Sequence, residues 1–375
     1  MTFIKKKEPI PLTQSHVFDK PFVDYKFQLK RLKGRGISIP SGEQAKIISI
    51  IKQHGYYSIV NGYGDSFEQI DTKYKHYSSD TSFEDIYAQF FIDRQLGKLL
   101  LPYLLDIEDH FSSVLSYAVA EHFDVNNFFA DDRKNPDPTV ISYLSYTHYP
   151  NAPIDVLKQL HDMSLNCRDD PTHWYIINKN HVPSWILFMN AELGTLTRYY
   201  KICPSSIKKE VTDELLPVKY SLNGFLNFEN RRYSSGKTST QKTDSAKSHR
   251  GKFIYSGLEL MREFRNCIAH NSRVYVHTSN ASLPMTVRDV PNISPRNLYT
   301  NEEYFQGTGK NDLFALFIWI IICQPSSTAQ LNFIENIRNF FSGENVEQAA
   351  IAIFLKKSKL PTDFIQRLSK FANAI

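Results

Sequence analysis

The sequence predicts an all-α protein, and three observations carry that expectation. Apolar residues recur at helical spacing through most of the 375 residues. Residues that start and stop helices punctuate those runs. There is no glycine pattern of the Rossmann or P-loop kind, no HExxH, and no internal repeat of a solenoid period. A hydrophobic fraction of 42% and an aromatic fraction of 13% are ample for a globular core, and a charged fraction of 22% is that of an ordinary soluble protein.

The elements follow in order. Phe22 to Lys33 has helical spacing and stops at Gly34-Arg35-Gly36. Ser41 with Gln44 three residues on has the form of a capping box, opening a helix through Ile47, Ile48, Ile50 and Ile51 to Gly55. The turn-rich aromatic stretch HGYYSIVNGYGDSF (54–67) follows, read either as core packing or as a base-stacking surface. Ser82 with Asp85 caps a long helix reaching Phe123, which Pro102 is expected to kink or divide. Residues 131–152, rich in Pro, Asp and Asn, read as a surface connection. Helices resume at 153–167, 183–202 and 204–216. A basic segment, 229–250, reads as a loop or disordered insert, and a helix from about 252 to 270 follows it. The stretch 276–310, with three prolines, reads as irregular or a short hairpin. Further helices at 311–323, 328–341 and 360–373 finish the chain.

Four cysteines, Cys167, Cys203, Cys267 and Cys323, stand far apart without a CxxC pair. They read as small buried residues of a reducing cytoplasm rather than as a disulfide or zinc framework, and no metal or other cofactor is expected. The basic N-terminus MTFIKKKEPIPLTQ has no apolar stretch behind it, unlike a signal peptide. The longest apolar run, Leu313 to Cys323, is too short to cross a bilayer, so no membrane association is expected.

Charge is placed unevenly. Between Glu229 and Lys252 stand seven basic residues, Arg231, Arg232, Lys237, Lys242, Lys247, Arg250 and Lys252, against two acidic ones, which accounts for the whole net charge of +5. Such a segment reads as a solvated loop or as a phosphate-attracting arm that would bind RNA. It runs directly into REFRNCIAHNSRVY, residues 262–275.

In that motif Phe264, Cys267, Ile268 and Ala269 have the spacing of a helix core, with Arg265, Asn266 and His270 threaded among them. Asn266 and His270, four apart, share a face, which Arg262 extends. Arg265 and His270, five apart, lie about 140° around an ideal helix, so a long arginine or a distorted helix end is needed to aim both at one point. Arg273 can return toward the same place. Cleavage of RNA needs little more than these groups, because the ribose 2′-OH is the nucleophile. A base must take its proton, an acid must protonate the leaving 5′-oxygen, and positive charge must meet the transition state. Histidine and arginine suit those tasks, and asparagine can orient the imidazole. One motif supplies one histidine. A symmetric dimer would supply a second, and so would His277, His110 or His122 of the same chain. The plain structural alternative is a histidine at a helix end, stabilised by the helix dipole.

The string Arg265-Asn266-Cys267-Ile268-Ala269-His270, continued by Asn271-Ser272-Arg273, resembles the Abi-like family of bacterial abortive-infection proteins (the AbiD/AbiF group) within the HEPN superfamily of helical RNases, marked by R-x(4–6)-H. The likeness extends in order through residues 20–37, through Tyr56, Tyr57, Gly62, Tyr63 and Phe67, and through Asp93-Arg94 with Ile107-Glu108. It continues at Trp185, Gly194, Leu196 and Tyr199, spanning roughly 20 to 340. Ser112 departs from the family, which often has an arginine after the Ile-Glu pair. The resemblance implies an elaborated HEPN-type helical bundle, with an N-terminal accessory region over 1–80 and a HEPN-like domain over 81–375, the basic insert included, or one continuous domain. It implies a cytoplasmic bacterial endoribonuclease that acts as a homodimer and halts a phage-infected cell, with an antitoxin as a possible further partner. Catalysis would fall to His270 as acid/base, Arg265 as phosphate ligand and Asn266 as orienting residue. Arg262, Arg273, Arg231, Arg232, Lys237, Lys242, Lys247 and Arg250 would bind RNA. The alternative is a non-cleaving RNA-binding or sensing protein of HEPN fold that recognises a regulatory RNA. Glu108 and Arg94 read as ion-pair residues, and Trp185 and Tyr199 as core.

Overall fold

In the computed structural model, which describes residues 21–69, 75–129, 139, 141–149, 154–343 and 348–375, helices account for all the regular structure among the described residues. The only bridges of strand type there are two isolated ones, Ser38 with Ser82 and Glu68 with Tyr77. The chain divides into two compact units, Met1–Phe90 and Phe91–Ile375.

In the first unit α1 (Tyr25–Gly34) is capped by Asp24, whose carboxylate accepts the Phe27 N–H. Gly36, in the left-handed region at φ +94°, turns the chain so that Ile37 and Ile39 become buried. α2 (Gln44–His54) buries Ile47 and Ile51. The Ser41/Gln44 capping box does not form: a tight turn over Ser41–Glu43, entered from Pro40, shifts the cap to Glu43, which makes no side-chain capping bond. The aromatic stretch is mixed, with Ile59, Val60 and Tyr63 buried and Tyr57 exposed.

α3 (Phe83–Phe123) begins in the first unit and continues into the second. Its cap is the expected one: Asp85 accepts the Ser82 N–H at 2.7 Å and the Ser82 hydroxyl accepts the Asp85 N–H at 3.1 Å. Pro102 does not divide it. Pro102 and Lys98, whose carbonyl loses its intrahelical donor, are both exposed, so water can take the missing bond.

The second unit continues through α4 (Ile154–Asn166), α5 (Thr172–Asn178), α6 (Ser184–Leu187), α7 (Leu193–Ile202), α8 (Ser205–Leu215), α9 (Leu222–Arg232) and α10 (Ser239–Ala269). After these come α11 (Thr286–Asp289), α12 (Asn301–Phe305), α13 (Leu313–Ile322), α14 (Ser327–Ser342), α15 (Gln348–Ser358) and α16 (Phe364–Ala372). α13 is buried along its entire length, which explains its unbroken apolar run. α10 packs its Phe253, Leu258, Met261 and Phe264 face among α7, α9 and α13. At the crossing with α13 the Trp319 ring lies against Gly257, where a Cβ atom would come within 2.2 Å of the indole.

Two expectations need correction and one is refined. The basic segment 229–250 is no flexible insert: it is the end of α9, a short turn, and the first third of α10, which opens with a complete Thr238/Gln241 capping box. The stretch 276–310 is largely irregular, as read, with the short helices α11 and α12 within it and no hairpin among the described residues. The connection at 131–152 lies largely outside the described residues, but within 141–149 the side chains of Tyr143, Leu144, Tyr146 and Tyr149 are buried. Tyr149 there donates to or accepts from Tyr199 at 2.5 Å, and Tyr143 donates to the Val182 carbonyl at 2.7 Å.

Candidate functional site

The motif occupies the last turns of α10 and the turn beyond. His270 is the C-cap, and Asn271 takes a left-handed conformation at φ +58°. The Asn271 N–H donates to Ile268 O and the Ser272 N–H to Cys267 O, both at 2.9 Å, the paired bonds of a Schellman turn with asparagine in glycine's usual place. That turn leaves His270 exposed.

Two neighbouring residues of α3 hold this turn. Arg94 donates to both the side-chain and the main-chain oxygen of Asn271, the latter at 2.8 Å. The buried Asp93 carboxylate accepts the N–H groups of Val274 and Tyr275, each at 2.9 Å. The Asp93-Arg94 pair therefore fixes the backbone on the C-terminal side of His270. Arg94 is thus no ion-pair partner of Glu108; the partner Glu108 finds is Arg265.

α3 and α10 run antiparallel here, and further along α3 Glu108 Oε2 lies 3.3 Å from Arg265 Nε. Burial pushes the Glu108 carboxyl above its ordinary range, against the opposing pull of Arg265. Glu108 lines a separate cleft with Ser112, Trp185 and Met189. Trp185, expected in the core, is 45% exposed on its wall, whereas Tyr199 is fully buried as expected.

His270 faces elsewhere. It lines an open cleft of about 430 Å³ with Arg262, Glu263, Asn266, His277 and Asn280. Of the sequence-predicted catalytic residues, the structure thus brings Asn266 and His270 together, with Arg262 beside them, and leaves Arg265 with Glu108. Arg262 carries its own carboxylate, pairing with Glu259 at 2.8 Å. Glu263 accepts the Asn280 N–H at 2.9 Å, which draws the loop after the motif over the cleft. His277 stands edge-on to Phe264 with ring centroids 4.6 Å apart, and its Nε2 has no hydrogen-bond partner. Burial lowers the His277 pKa below its ordinary value, opposed by Glu263. Among the candidate second histidines, His277 is the one that lines this cleft. Arg273 is half-buried, and its carbonyl accepts the Cys267 thiol at 3.4 Å.

The residues expected to bind RNA through the basic segment are mostly committed within the fold. Arg231 donates to the carbonyls of Asp289 and Val290. Arg232 lies over the Phe228 and Tyr233 rings, and Lys237 over Tyr233 and 3.7 Å from the buried Glu229. Arg250 is buried, bonding to Tyr220 O and Asp213, so it is not the surface contact expected of it. Lys247 is exposed and Lys242 half-exposed.

Sequence reasoning missed Glu259, Glu263 and Asn280, noted Asp93 through the resemblance without a role, and could not rank His277. The two glutamates were within reach, since 259, 263, 262, 266 and 270 form one stripe at spacings of three and four. Asp93 and Asn280 enter through tertiary contacts.

An all-helical protein with a histidine-bearing cleft at a helix end, braced by an Asp-Arg pair from a neighbouring helix, is the class these features define. The family model for Abi-like proteins matches residues 49–276, more than half of the chain, and the protein belongs to that family. No curated protein and no solved structure gives a match. Among the described residues no helix is long and apolar enough to cross a membrane.

Proposed function

We propose that this protein is an endoribonuclease of abortive infection, built on the HEPN plan, that cleaves RNA by acid/base chemistry. The observation that carries this reading is the single open cleft holding His270, Asn266 and Arg262 with His277 on its wall. His277, kept neutral by burial, suits the base. It takes the 2′-OH proton, the 2′-oxygen bonds to phosphorus, and the bond from phosphorus to the 5′-oxygen breaks. His270 supplies the proton to that leaving oxygen. The products are a 2′,3′-cyclic phosphate end and a 5′-hydroxyl end. Arg262 and Asn266 orient the phosphate and the imidazole.

Arg265 meets the same phosphate only by leaving Glu108, either in this copy or in a second copy brought alongside. A symmetric homodimer joined across the ends of α10 would supply it. Light scattering of the purified protein at micromolar concentration reads that state directly.

The test uses 5′-labelled RNA and induced growth arrest in the bacterial cytoplasm. The folded His270→Ala protein is expected to lose both cleavage and toxicity. Unchanged cleavage by that variant removes the catalytic reading. A second reading, an RNA-binding protein that does not cut, is favoured by the engagement of Arg265 with Glu108. It is supported if wild type retains RNA without shortening it and His270→Ala binds equally well.

A further inference from the structure

A second concave site, away from the histidine cleft, lies among α8, the start of α9 and α10. It has a volume of about 290 Å³ and is lined by Lys208, Lys209, Lys247, Arg250, Ser205 and Gly251. Four cations therefore face one small cavity. Among the described residues Asp213 is the carboxylate that pairs with any of them, shared between Lys209 at 2.9 Å and Arg250. One carboxylate against four cations leaves a strong positive excess in a partly enclosed space, where charges act more strongly than in open water.

The cations differ in freedom. Arg250 is buried and fixed by Tyr220 O and Asp213, so it contributes charge from the floor rather than a mobile donor. The Lys208 ammonium donates to Lys201 O at 2.6 Å, and burial draws its pKa below the ordinary lysine value. Withdrawing a lysine from water in the company of other cations is unfavourable unless an anion compensates. Lys247 is exposed and makes no ion pair among the described residues. The Ser205 and Ser206 hydroxyls line the same rim.

Gly251 supplies an independent observation. Glycine inside a helix is unfavourable relative to alanine, and it is usually retained for a left-handed turn or for close packing. Neither reason holds at 251: it sits within α10, its φ is not positive, and a Cβ atom there would meet nothing within 4 Å. Its effect is to leave the wall of the cationic cavity open.

We infer that this cavity is a phosphate-binding site, taking a phosphate or pyrophosphate group carried by a free nucleotide or by the end of an RNA chain. Lys247 is the mobile clamp, Lys208 and the two serines complete the cradle, and Gly251 keeps the space. The site is independent of RNA cleavage by the histidine cleft.

Titration of the full-length protein with inorganic pyrophosphate, followed by calorimetry, tests it. Wild type and His270→Ala are expected to bind saturably with the same affinity. Lys247→Glu is expected to weaken binding by roughly tenfold or more, the loss of one charge-assisted contact. Gly251→Leu, which fills the space without changing charge, is expected to abolish binding. Thermal melts check that both variants are folded; Lys247 is exposed, and a Cβ atom at Gly251 meets nothing within 4 Å. Competition identifies the source: displacement by ADP points to a nucleotide, and displacement by a 5′-phosphorylated but not a 5′-hydroxyl oligoribonucleotide points to an RNA end. Absence of saturable binding, or equal binding by wild type and both folded variants, overturns the proposal.

Discussion

Asp93→Ala is the substitution whose consequence the structure determines most closely. The Asp93 carboxylate is 1% exposed and accepts the main-chain N–H groups of Val274 and Tyr275, each at 2.9 Å. Val274 and Tyr275 are themselves buried, so water cannot replace the lost acceptor. Each buried donor left without a partner costs about 1–3 kcal/mol, so the pair amounts to roughly 2–6 kcal/mol. Small globular proteins are stable by only about 5–15 kcal/mol, so this is a large fraction of the total. Asp93→Asn should lose about half as much, since the amide keeps one acceptor and turns a donor toward the other N–H. Urea unfolding at unchanged m-value, with hydrogen exchange at the amides of 274 and 275, measures both. A loss below about 1 kcal/mol in Asp93→Ala, or unaltered exchange at those two amides, refutes the view that Asp93 holds the turn. If the turn positions His270, folded Asp93→Asn protein should also cut RNA with reduced kcat and little change in KM.

Two further outcomes follow. Gly257→Ala drives a Cβ atom into the Trp319 indole and should destabilise by about 1–3 kcal/mol, despite the better helix propensity of alanine; a neutral or stabilising result by thermal melt would contradict the close crossing of α10 and α13. His277→Gln should alter the pH dependence. Because burial lowers the His277 pKa, the folded state binds fewer protons than the unfolded chain between that lowered value and the ordinary one. Stability therefore rises with pH across this window and is lost as pH falls through it, and His277→Gln should remove that part of the slope. In the cleavage assay it should remove the acidic limb of kcat/KM, and an unchanged limb would exclude His277 as the base.

Local signals were legible where a helix is decided by its own residues. The Ser82/Asp85 cap, the apolar run that became α13, and the shared face of Arg262, Asn266 and His270 all appear in the structure. The failures came where distant partners decide. The composition of 229–250 reads as solvated, yet Glu229 is buried with Lys237 and His249 on it, and Arg250 finds Asp213 and Tyr220, 37 and 30 residues earlier. Ser41 and Gln44 had the letters of a capping box, but the turn after Pro40 displaced the cap by two residues. Arg265 shows both sides. The ideal helix already placed it about 140° from His270, but nothing in the linear order says that Glu108, on another helix, waits for it.

That separation bears on how the motif can work. Within one chain His270 and His277 line the histidine cleft, whereas the motif arginine, Arg265, lies against Glu108 of α3. The distortion that sequence reasoning required does occur, as the Schellman turn at Asn271, but it begins after His270 and exposes that residue without bringing Arg265 round to it. A one-chain mechanism must therefore draw its positive charge from Arg262, whose guanidinium already carries Glu259, or free Arg265 from a half-buried carboxylate. A two-chain mechanism needs the ends of two α10 helices to meet, with the second copy's Arg265 turned from its own Glu108 toward the shared phosphate. The two differ in what Arg265→Ala does: a one-chain site working through Arg262 keeps most of its cleavage, whereas a site completed by a second copy loses cleavage as fully as it does in His270→Ala.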